Sequence, residues 1–379
     1  MTLDRTALAF DLTLPARTRT GSWVYASELL TQLQRMPQVS VTVLNHPKRW
    51  RGHGVGEQVL NAAELTLWMQ VALPRRLARL RPDLLHSTAF VAPVVSPCPV
   101  VVSIHDTTYL TQPHSRLWGV YTRLFTALAT RRAAAILTLS ESSKRDIVRH
   151  YHVPADRVAV VPLGVHPRFY PMNRPEAHVT LQARYGLSAP FILFVGALEV
   201  RKNIPVLLRA FAELKRTAVG QPYCLVIVGK PGGAWAEIQR TVDELALRRD
   251  VVFLGHVPTD DLPLFYSGAE VFAFPSLYEG FGIPVIEAMA CATPVVTSNV
   301  SSLPEVGGEA ALYVDPNDAA ALAVALARVV GDPALRQALV EKGLARAPLF
   351  TWERVAEATG QVYAQVRQGS RNRVTAWGG

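Results

Sequence analysis

Val271-Phe272-Ala273-Phe274-Pro275-Ser276-Leu277-Tyr278-Glu279-Gly280-Phe281-Gly282-Ile283-Pro284-Val285-Ile286-Glu287-Ala288 passes from an apolar strand, through a loop spaced by two glycines, into a helix. Pro284 suits the first helical turn, where a missing N–H costs nothing. Gly280 and Gly282 let the backbone approach a ligand closely, and the free amides of a helix start, here at Ile283, can bind phosphate oxygens. The run therefore reads as an anion site at the carboxyl end of a strand. Glu279 in the loop and Glu287 one turn into the helix would project toward different parts of a ligand and accept hydrogen bonds from hydroxyls, which suits sugar and ribose. One glutamate stabilised by the helix dipole and another in solvent would give the same pattern.

Outward from this run, short apolar strands alternate with longer helical stretches along the chain. Strands are predicted at Leu8–Leu12, Val41–Leu44, Leu84–Ser87, Val100–His105, Ile136–Leu139 and Val158–Val161. A second set follows at Phe191–Val195, Cys224–Val228, Val251–Leu254, Val271–Phe274, Val295–Thr297 and Leu312–Val314. Such alternation specifies an α/β chain of parallel sheets covered by helices on both faces. At roughly 150 residues per domain, 379 residues make two domains. The prolines and polar residues of Pro167–Glu176 mark the linker. Two doubly wound halves would each place ligands at the carboxyl ends of their strands, so a cleft between them would be faced by two such rims. Trp352–Val366 reads as an amphipathic helix with Val355, Thr359, Val362, Tyr363 and Val366 on one side, assignable to either domain. The polar tail after Gln368 is expected to fray.

Composition narrows the function classes. The chain is 49% apolar and 18% charged, and no apolar run approaches the ~18 residues that cross a bilayer. The N-terminal segment lacks the pattern of a secretion signal, which makes the cytoplasm the default address. Cys98, Cys224 and Cys291 lack metal-like or paired spacing and are expected to be buried, reduced thiols. The net charge of +9 is concentrated in residues 1–180, with 21 Lys/Arg against 11 Asp/Glu, while the remainder has 18 against 19. Arg75, Arg76, Arg79 and Arg81 lie on or just beyond a helix expected from Leu65, and Lys48, Arg49 and Arg51 flank Trp50. These groups read equally as a solvated face or as a contact for anionic lipid or a phosphorylated acceptor. Without interleaved aromatics in a recognisable module, they do not indicate nucleic-acid binding.

Two further motifs carry chemistry. Gly196-Ala197-Leu198-Glu199-Val200-Arg201-Lys202-Asn203 follows a strand, and its two cations can neutralise a diphosphate, Arg201 through a forked pair of hydrogen bonds and Lys202 as a point charge. An exposed basic turn capping the next helix is the other reading. His105-Asp106 ends the strand that starts at Val100. A neutral imidazole there can hydrogen-bond a sugar hydroxyl, although a lone histidine is more often structural. Ser140, Ser142 and Ser143 stand at a helix entrance, where capping is their expected role.

With these motifs in place, the sequence resembles the retaining glycosyltransferase family 4, whose members include bacterial mannosyltransferases and sucrose synthases. The resemblance spans nearly the whole chain. It rests on Glu279 and Glu287 with seven residues between them, on Arg201-Lys202-Asn203 and on Glu287-Ala288-Met289-Ala290-Cys291-Ala292-Thr293-Pro294. Pro82-Asp83-Leu84-Leu85-His86, His105-Asp106, Ser140-Glu141-Ser142-Ser143, Val161-Pro162-Leu163-Gly164-Val165 and Val226-Ile227-Val228-Gly229-Lys230 support it. It implies the GT-B architecture, two Rossmann-like domains facing an interdomain cleft. Residues 1–170 would bind the acceptor, residues 171–351 would bind the nucleotide sugar, and a last helix over residues 352–368 would cross back to the first domain.

The resemblance also implies metal-independent transfer with retention, and no cofactor beyond the donor. It assigns Glu279 and the backbone of Phe281 and Gly282 to the donor sugar, Glu287 to the ribose, Arg201 and Lys202 to the diphosphate, and His105 to the transferred sugar. Gly196 belongs to the diphosphate loop, and the backbone near Val257 would meet the base. The first loop, Arg19-Thr20-Gly21-Ser22-Trp23, has only Gly21 where the family often has two adjacent glycines, and Ala292 stands where glycine is usual. The pattern is closest to bacterial polysaccharide mannosyltransferases, implying GDP-mannose as donor and a glycan or lipid-linked acceptor, with peripheral contact at the inner membrane face. A uridine diphosphate sugar donor and a GT-B sugar-nucleotide epimerase are the alternatives.

Overall fold

The computed structural model describes residues 5–18, 21–46, 55–108 and 116–375. Two compact units emerge, residues 1–163 together with 352–379, and residues 164–351. In the first unit β1 (Thr6–Asp11), β2 (Val39–Leu44), β3 (Leu84–Ser87), β4 (Val100–Ser103), β5 (Ala135–Thr138) and β6 (Val158–Val160) form one sheet in the order β2-β1-β3-β4-β5-β6. The second unit contains β7 (Phe191–Val195), β8 (Cys224–Val228), β9 (Val251–Gly255), β10 (Val271–Phe274), β11 (Val295–Ser298) and β12 (Ala311–Val314), in the order β12-β11-β10-β7-β8-β9. All pairings are parallel, with Leu8 between Val41 and Leu84 in one sheet and Phe272 between Leu193 and Val295 in the other. Every strand read from the sequence is present, its ends shifted by no more than two residues.

Burial explains why the strands were legible. β7, Phe-Ile-Leu-Phe-Val, is buried along its whole length, as is β10. A parallel strand covered by helices on both sides reads as a continuous apolar run. β2, at an edge, leaves Ser40, Thr42 and Val43 exposed. Phe191, Phe194, Phe211, Phe265, Phe272 and Phe274 fill the second core, with Phe194 and Phe274 stacked at 5.9 Å between centroids. Strand order then locates the crevices. The chain reverses direction across the sheet between β1 and β3, and again between β7 and β10, and ligands of doubly wound sheets bind beyond the carboxyl ends of strands at such points.

Three expectations need correction. The chain passes between units at Leu163/Gly164, ahead of the linker read at Pro167–Glu176. Phe169 packs edge-on against Tyr266, and Asn173 caps the helix Arg174–Tyr185, so this proline-rich stretch is part of the second unit. The basic helix starts at Val55 rather than Leu65, winds as a π turn over Trp68–Ala72, and continues through Leu73–Leu80 to a left-handed Arg81. Arg75, Arg76 and Arg79 are exposed on it, whereas Lys48, Arg49, Trp50 and Arg51 lie outside the described residues. The final helix, Trp352–Thr375, extends past Gln368 instead of fraying there.

That helix packs within the first unit. Val355, Thr359, Val362, Tyr363 and Val366 are buried, and Arg367 donates to Thr6 Oγ1 at 3.0 Å. Tyr363 Oη lies 2.6 Å from His86 Nδ1, His86 Nε2 lies 2.7 Å from Ser103 Oγ, and Ser103 Oγ lies 2.9 Å from Tyr25 Oη. Four buried polar side chains thus link the final helix, β3, β4 and the helix Gly21–Arg35. Burial pushes the His86 imidazole down to about 3, so it is neutral in this chain of hydrogen bonds.

Candidate functional site

The carboxyl ends of β7 and β10 bring Arg201, Lys202 and Glu279 together. After Val195 the chain turns at Gly196, whose amide donates to Val228 O at 2.9 Å, and winds one 3-10 turn over Val200–Lys202. Gly229 allows this turn to approach β8. A Cβ there would stand 1.8 Å from the Gly196 carbonyl, so only glycine fits. Asn203, left-handed at φ 56°, donates through Nδ2 to Pro275 O and Pro316 O, and Leu277 N–H donates to Arg201 O. These bonds fix the cationic turn against the loop after β10.

Lys202 Nζ lies 2.5 Å from Glu279 Oε1, and Arg201 Nη1 lies 2.7 Å from Glu279 Oε2. Lys202 and Glu279 are buried, and the ammonium also sits 4.4 Å from the centre of the Phe274 ring. Burial works to raise the Glu279 carboxyl, but Lys202 and Arg201 outweigh it and hold the group below its usual range. Two cations thus meet on one carboxylate. Sequence reasoning placed the carboxylate on a sugar and the cations on a diphosphate; in this structure they neutralise one another.

Gly282 follows at φ 105°, where an L side chain would be strained and a Cβ would meet Leu303 Cδ2 at 2.9 Å. It precedes the helix Ile283–Ala290. Val285 N–H bonds back to Gly282 O, and Pro284 has no N–H, so the Ile283 amide lies at the open end of the helix. Glu287, one turn on, accepts from Tyr266 Oη at 2.8 Å, and burial pushes its carboxyl up to about 7 against the opposing effects of Tyr266 and Arg168. The helix ends in a Schellman motif. Ala292 N–H donates to Met289 O, Thr293 N–H donates to Ala288 O, and Ala292 is left-handed at φ 59°. Val257 follows β9 and is buried.

The remaining residues singled out from the sequence lie in the first unit. His105, beyond β4, packs edge-on against Tyr25 at 4.6 Å, and its Nε2 is buried with no hydrogen-bond partner among the described residues. Burial lowers its imidazole to about 4, against a smaller opposing pull from Asp106, so it is neutral near pH 7. Gly21 starts the helix Gly21–Arg35 with open space around its Cβ position, and Arg19 and Thr20 lie outside the described residues. Ser140 caps the helix Glu141–Tyr151 by accepting from Ser143 N–H. Of the cysteines, Cys291 is buried while Cys98 and Cys224 are half-buried, and all three are free thiols. Among the described residues, no cluster of three or more His, Cys, Asp or Glu could hold a metal ion, and no helix is long and apolar enough to cross a membrane.

Sequence reasoning missed several residues that shape these sites. Tyr266, Ser301 and Ser302 hold Glu287 and the Glu279 loop from neighbouring elements. Asp11, at the first sheet's switch point, accepts from the Thr13 amide and hydroxyl, and burial pushes its carboxyl up to about 6. Tyr266, Ser301 and Ser302 lie more than twenty positions from the residues they hold, beyond the reach of any local motif.

Comparison with known proteins identifies the family and the fold. Residues 184–346 match the model for glycosyl transferases group 1, and residues 19–169 match that for glycosyltransferase family 4. The chain is 36% identical over 272 residues to the O-antigen chain mannosyltransferase B of Escherichia coli, covering 69% of each protein. It is 31% identical over 244 residues to a serotype-specific mannosyltransferase of the same organism, covering 63% of this chain but 30% of that longer protein. Among solved structures, the sucrose-phosphate synthase of Thermosynechococcus elongatus superposes with a TM-score of 0.78 at 23% identity, over 96% of this chain and all of that one. Two parallel six-stranded sheets in this arrangement constitute the GT-B fold, and the chain belongs to glycosyltransferase family 4 as a retaining glycosyltransferase.

Proposed function

We propose that this enzyme transfers mannose from GDP-mannose to a glycan or lipid-linked acceptor, with the donor held by the second unit. The observation that carries the donor site is the meeting of Arg201, Lys202 and Glu279 beside the open end of the helix Ile283–Ala290, at the β7/β10 switch point. Two cations and oriented amides suit a diphosphate, whose negative charge increases as it leaves. Arg201 and Lys202 bind the diphosphate beside Gly196, Glu279 and the Phe281 and Gly282 amides hold the sugar, and Glu287 accepts from ribose hydroxyls. The backbone near Val257 meets the base. Mannose is favoured by the similarity to the O-antigen chain mannosyltransferase, and guanine is the base that the sequence resemblance to bacterial polysaccharide mannosyltransferases implies.

In a front-face displacement, the bond from the anomeric carbon to the diphosphate oxygen breaks while the acceptor oxygen bonds to the same face. The departing oxygen takes the acceptor's proton, so the step balances without a protein nucleophile. Positioning and electrostatic stabilisation carry the catalysis. His105, neutral and with an unpartnered Nε2 among the described residues, supplies a hydrogen bond to the transferred sugar.

The first unit binds the acceptor, and its exposed Arg75, Arg76 and Arg79 provide contact with an anionic membrane surface. Equal binding to neutral and anionic liposomes at low salt would remove the membrane part. A melting-temperature screen against GDP, UDP, ADP and their sugar conjugates tests the donor. A ligand at ~100 times its Kd stabilises by about 2.7 kcal/mol. Selective response to GDP and GDP-mannose supports the proposal, a selective uridine response transfers it to a uridine diphosphate sugar, and silence to every nucleotide overturns the donor site.

A further inference from the structure

The geometry points to Ser301 and Ser302 as positioning residues that clamp the donor-sugar loop, an inference that rests on the donor site proposed above. Both lie between β11 and the short helix Leu303–Gly307, more than twenty positions from the loop they hold. Ser301 Oγ accepts from the Glu279 amide at 3.0 Å. Ser302 Oγ lies 2.9 Å from Glu279 O and 2.7 Å from Phe281 O, its single proton shared between the two carbonyls. With its carboxylate on Arg201 and Lys202, Glu279 is thus held at its backbone donor, its backbone acceptor and its side chain.

Neither serine behaves as its local position would dictate. Ser302 occupies the N-cap of Leu303–Gly307, where a serine oxygen ordinarily accepts from an amide of its own helix. Here its backbone is helical, it makes no cap bond, and its fully buried hydroxyl turns to the loop instead. Ser301 adopts φ 53°, a left-handed conformation costly for a residue with a Cβ. The clamp is braced from behind. Arg346 donates through Nε to Val306 O and through Nη2 to Glu305 O, both at 2.6 Å, and its guanidinium covers the Phe350 ring, which meets Phe281 edge-on at 5.7 Å. The serines do not form the floor of the site. They set the direction of the amides at Phe281 and Gly282, while Arg201, Lys202 and Glu287 belong to other elements. Losing a hydroxyl should therefore impair use of the sugar and spare the nucleoside diphosphate.

Two variants separate positioning from folding. Ser302→Ala removes the shared donor, and Ser301→Gly removes the acceptor while placing glycine where φ is positive, so its melting temperature should hold or rise. Each is expected to slow transfer by about tenfold to a hundredfold, as misplacement of reacting groups does. The Kd for the free nucleoside diphosphate should change much less than the rate, by about threefold at most, because Arg201 and Lys202 are carried by the turn after β7 and not by the clamped loop. Hydrogen exchange at Tyr278–Ile283 should rise in both variants, a readout independent of donor identity. Unchanged exchange, wild-type transfer by Ser301→Gly, or parallel loss of rate and nucleotide affinity would overturn the clamp. Faster exchange in a protein whose wild type neither binds nor uses any nucleotide sugar would leave the clamp standing and retire the donor assignment.

Discussion

Glu279 concentrates the residue-scale chemistry. Paired with Lys202 and Arg201, it offsets half of the positive charge that a diphosphate would meet. Glu279→Gln should cost about 3 kcal/mol without ligand, since a buried ammonium loses its counter-ion. The same change should tighten nucleoside diphosphate binding by about threefold to tenfold, because an opposing charge a few ångströms away is gone. Transfer should fall by about a hundredfold; calorimetry and a labelled-sugar assay read the two effects separately. Glu287 gives a pH signature. Its carboxyl titrates at about 7 in the fold, above the unfolded value, so the folded state holds the extra proton and rising pH through this window costs stability. Glu287→Gln should melt higher than wild type at pH 8 and match it by pH 5. On the proposal that Glu287 accepts from ribose hydroxyls in its ionised form, wild-type nucleotide affinity should rise by about tenfold from pH 6 to pH 8 and stay flat in the variant. Both glutamates were legible because strand, glycine-spaced loop and proline-started helix lie together in sequence. Their mutual contacts were not, because Glu279 meets cations 77 positions away, and no local pattern says which charges neutralise each other.

At the scale of elements, helix ends and docked faces decide the details. The sequence places alanine at the left-handed position of the Schellman motif that ends Ile283–Ala290, where the resemblance expects glycine. Ala292→Gly should therefore stabilise the second unit by about 1 kcal/mol, measured as a melting shift of about 2–4 °C, without altering transfer. The final helix was readable as amphipathic, yet its periodicity could not say which sheet it covers. Burying Tyr363 against His86 settles that in favour of the first unit, because the imidazole on β3 has Ser103 of β4 on one nitrogen and takes Tyr363 of the helix on the other. Tyr363→Phe keeps the ring and strands His86 Nδ1, so chemical denaturation should show a loss of about 1–3 kcal/mol, whichever partner carries the bridging proton. The start of the basic helix was misplaced by ten residues for a related reason. Val59 and Leu60 are exposed rather than facing the core, and the π turn at Trp68–Ala72 breaks the 3.6-residue period on which the reading depended.

For the molecule as a whole, strand identity was local information and strand order was not. Short apolar runs marked all twelve strands, but the order β12-β11-β10-β7-β8-β9 joins β7 to a strand some eighty residues later, and family resemblance rather than periodicity supplied that architecture. The same order puts the donor contacts proposed for the second unit between residues 196 and 287. Charge is divided along similar lines, with the basic excess in residues 1–180 and near-neutrality beyond. Tryptophan happens to follow the division too. Of seven tryptophans only Trp235, packed edge-on against Phe253, lies within residues 164–351. Intrinsic fluorescence therefore reports chiefly on the first unit, whereas far-ultraviolet circular dichroism reports on both. A nucleoside diphosphate at ~100 times its Kd adds about 2.7 kcal/mol to the unit that binds it, a shift of about 5–10 °C for a unit of this size. We expect the dichroism transition to split or broaden upward, with the tryptophan-detected midpoint lagging behind it. If both probes instead move together by the same interval, the two units unfold as one cooperative body, and a ligand of the second unit stabilises the first as strongly as its own.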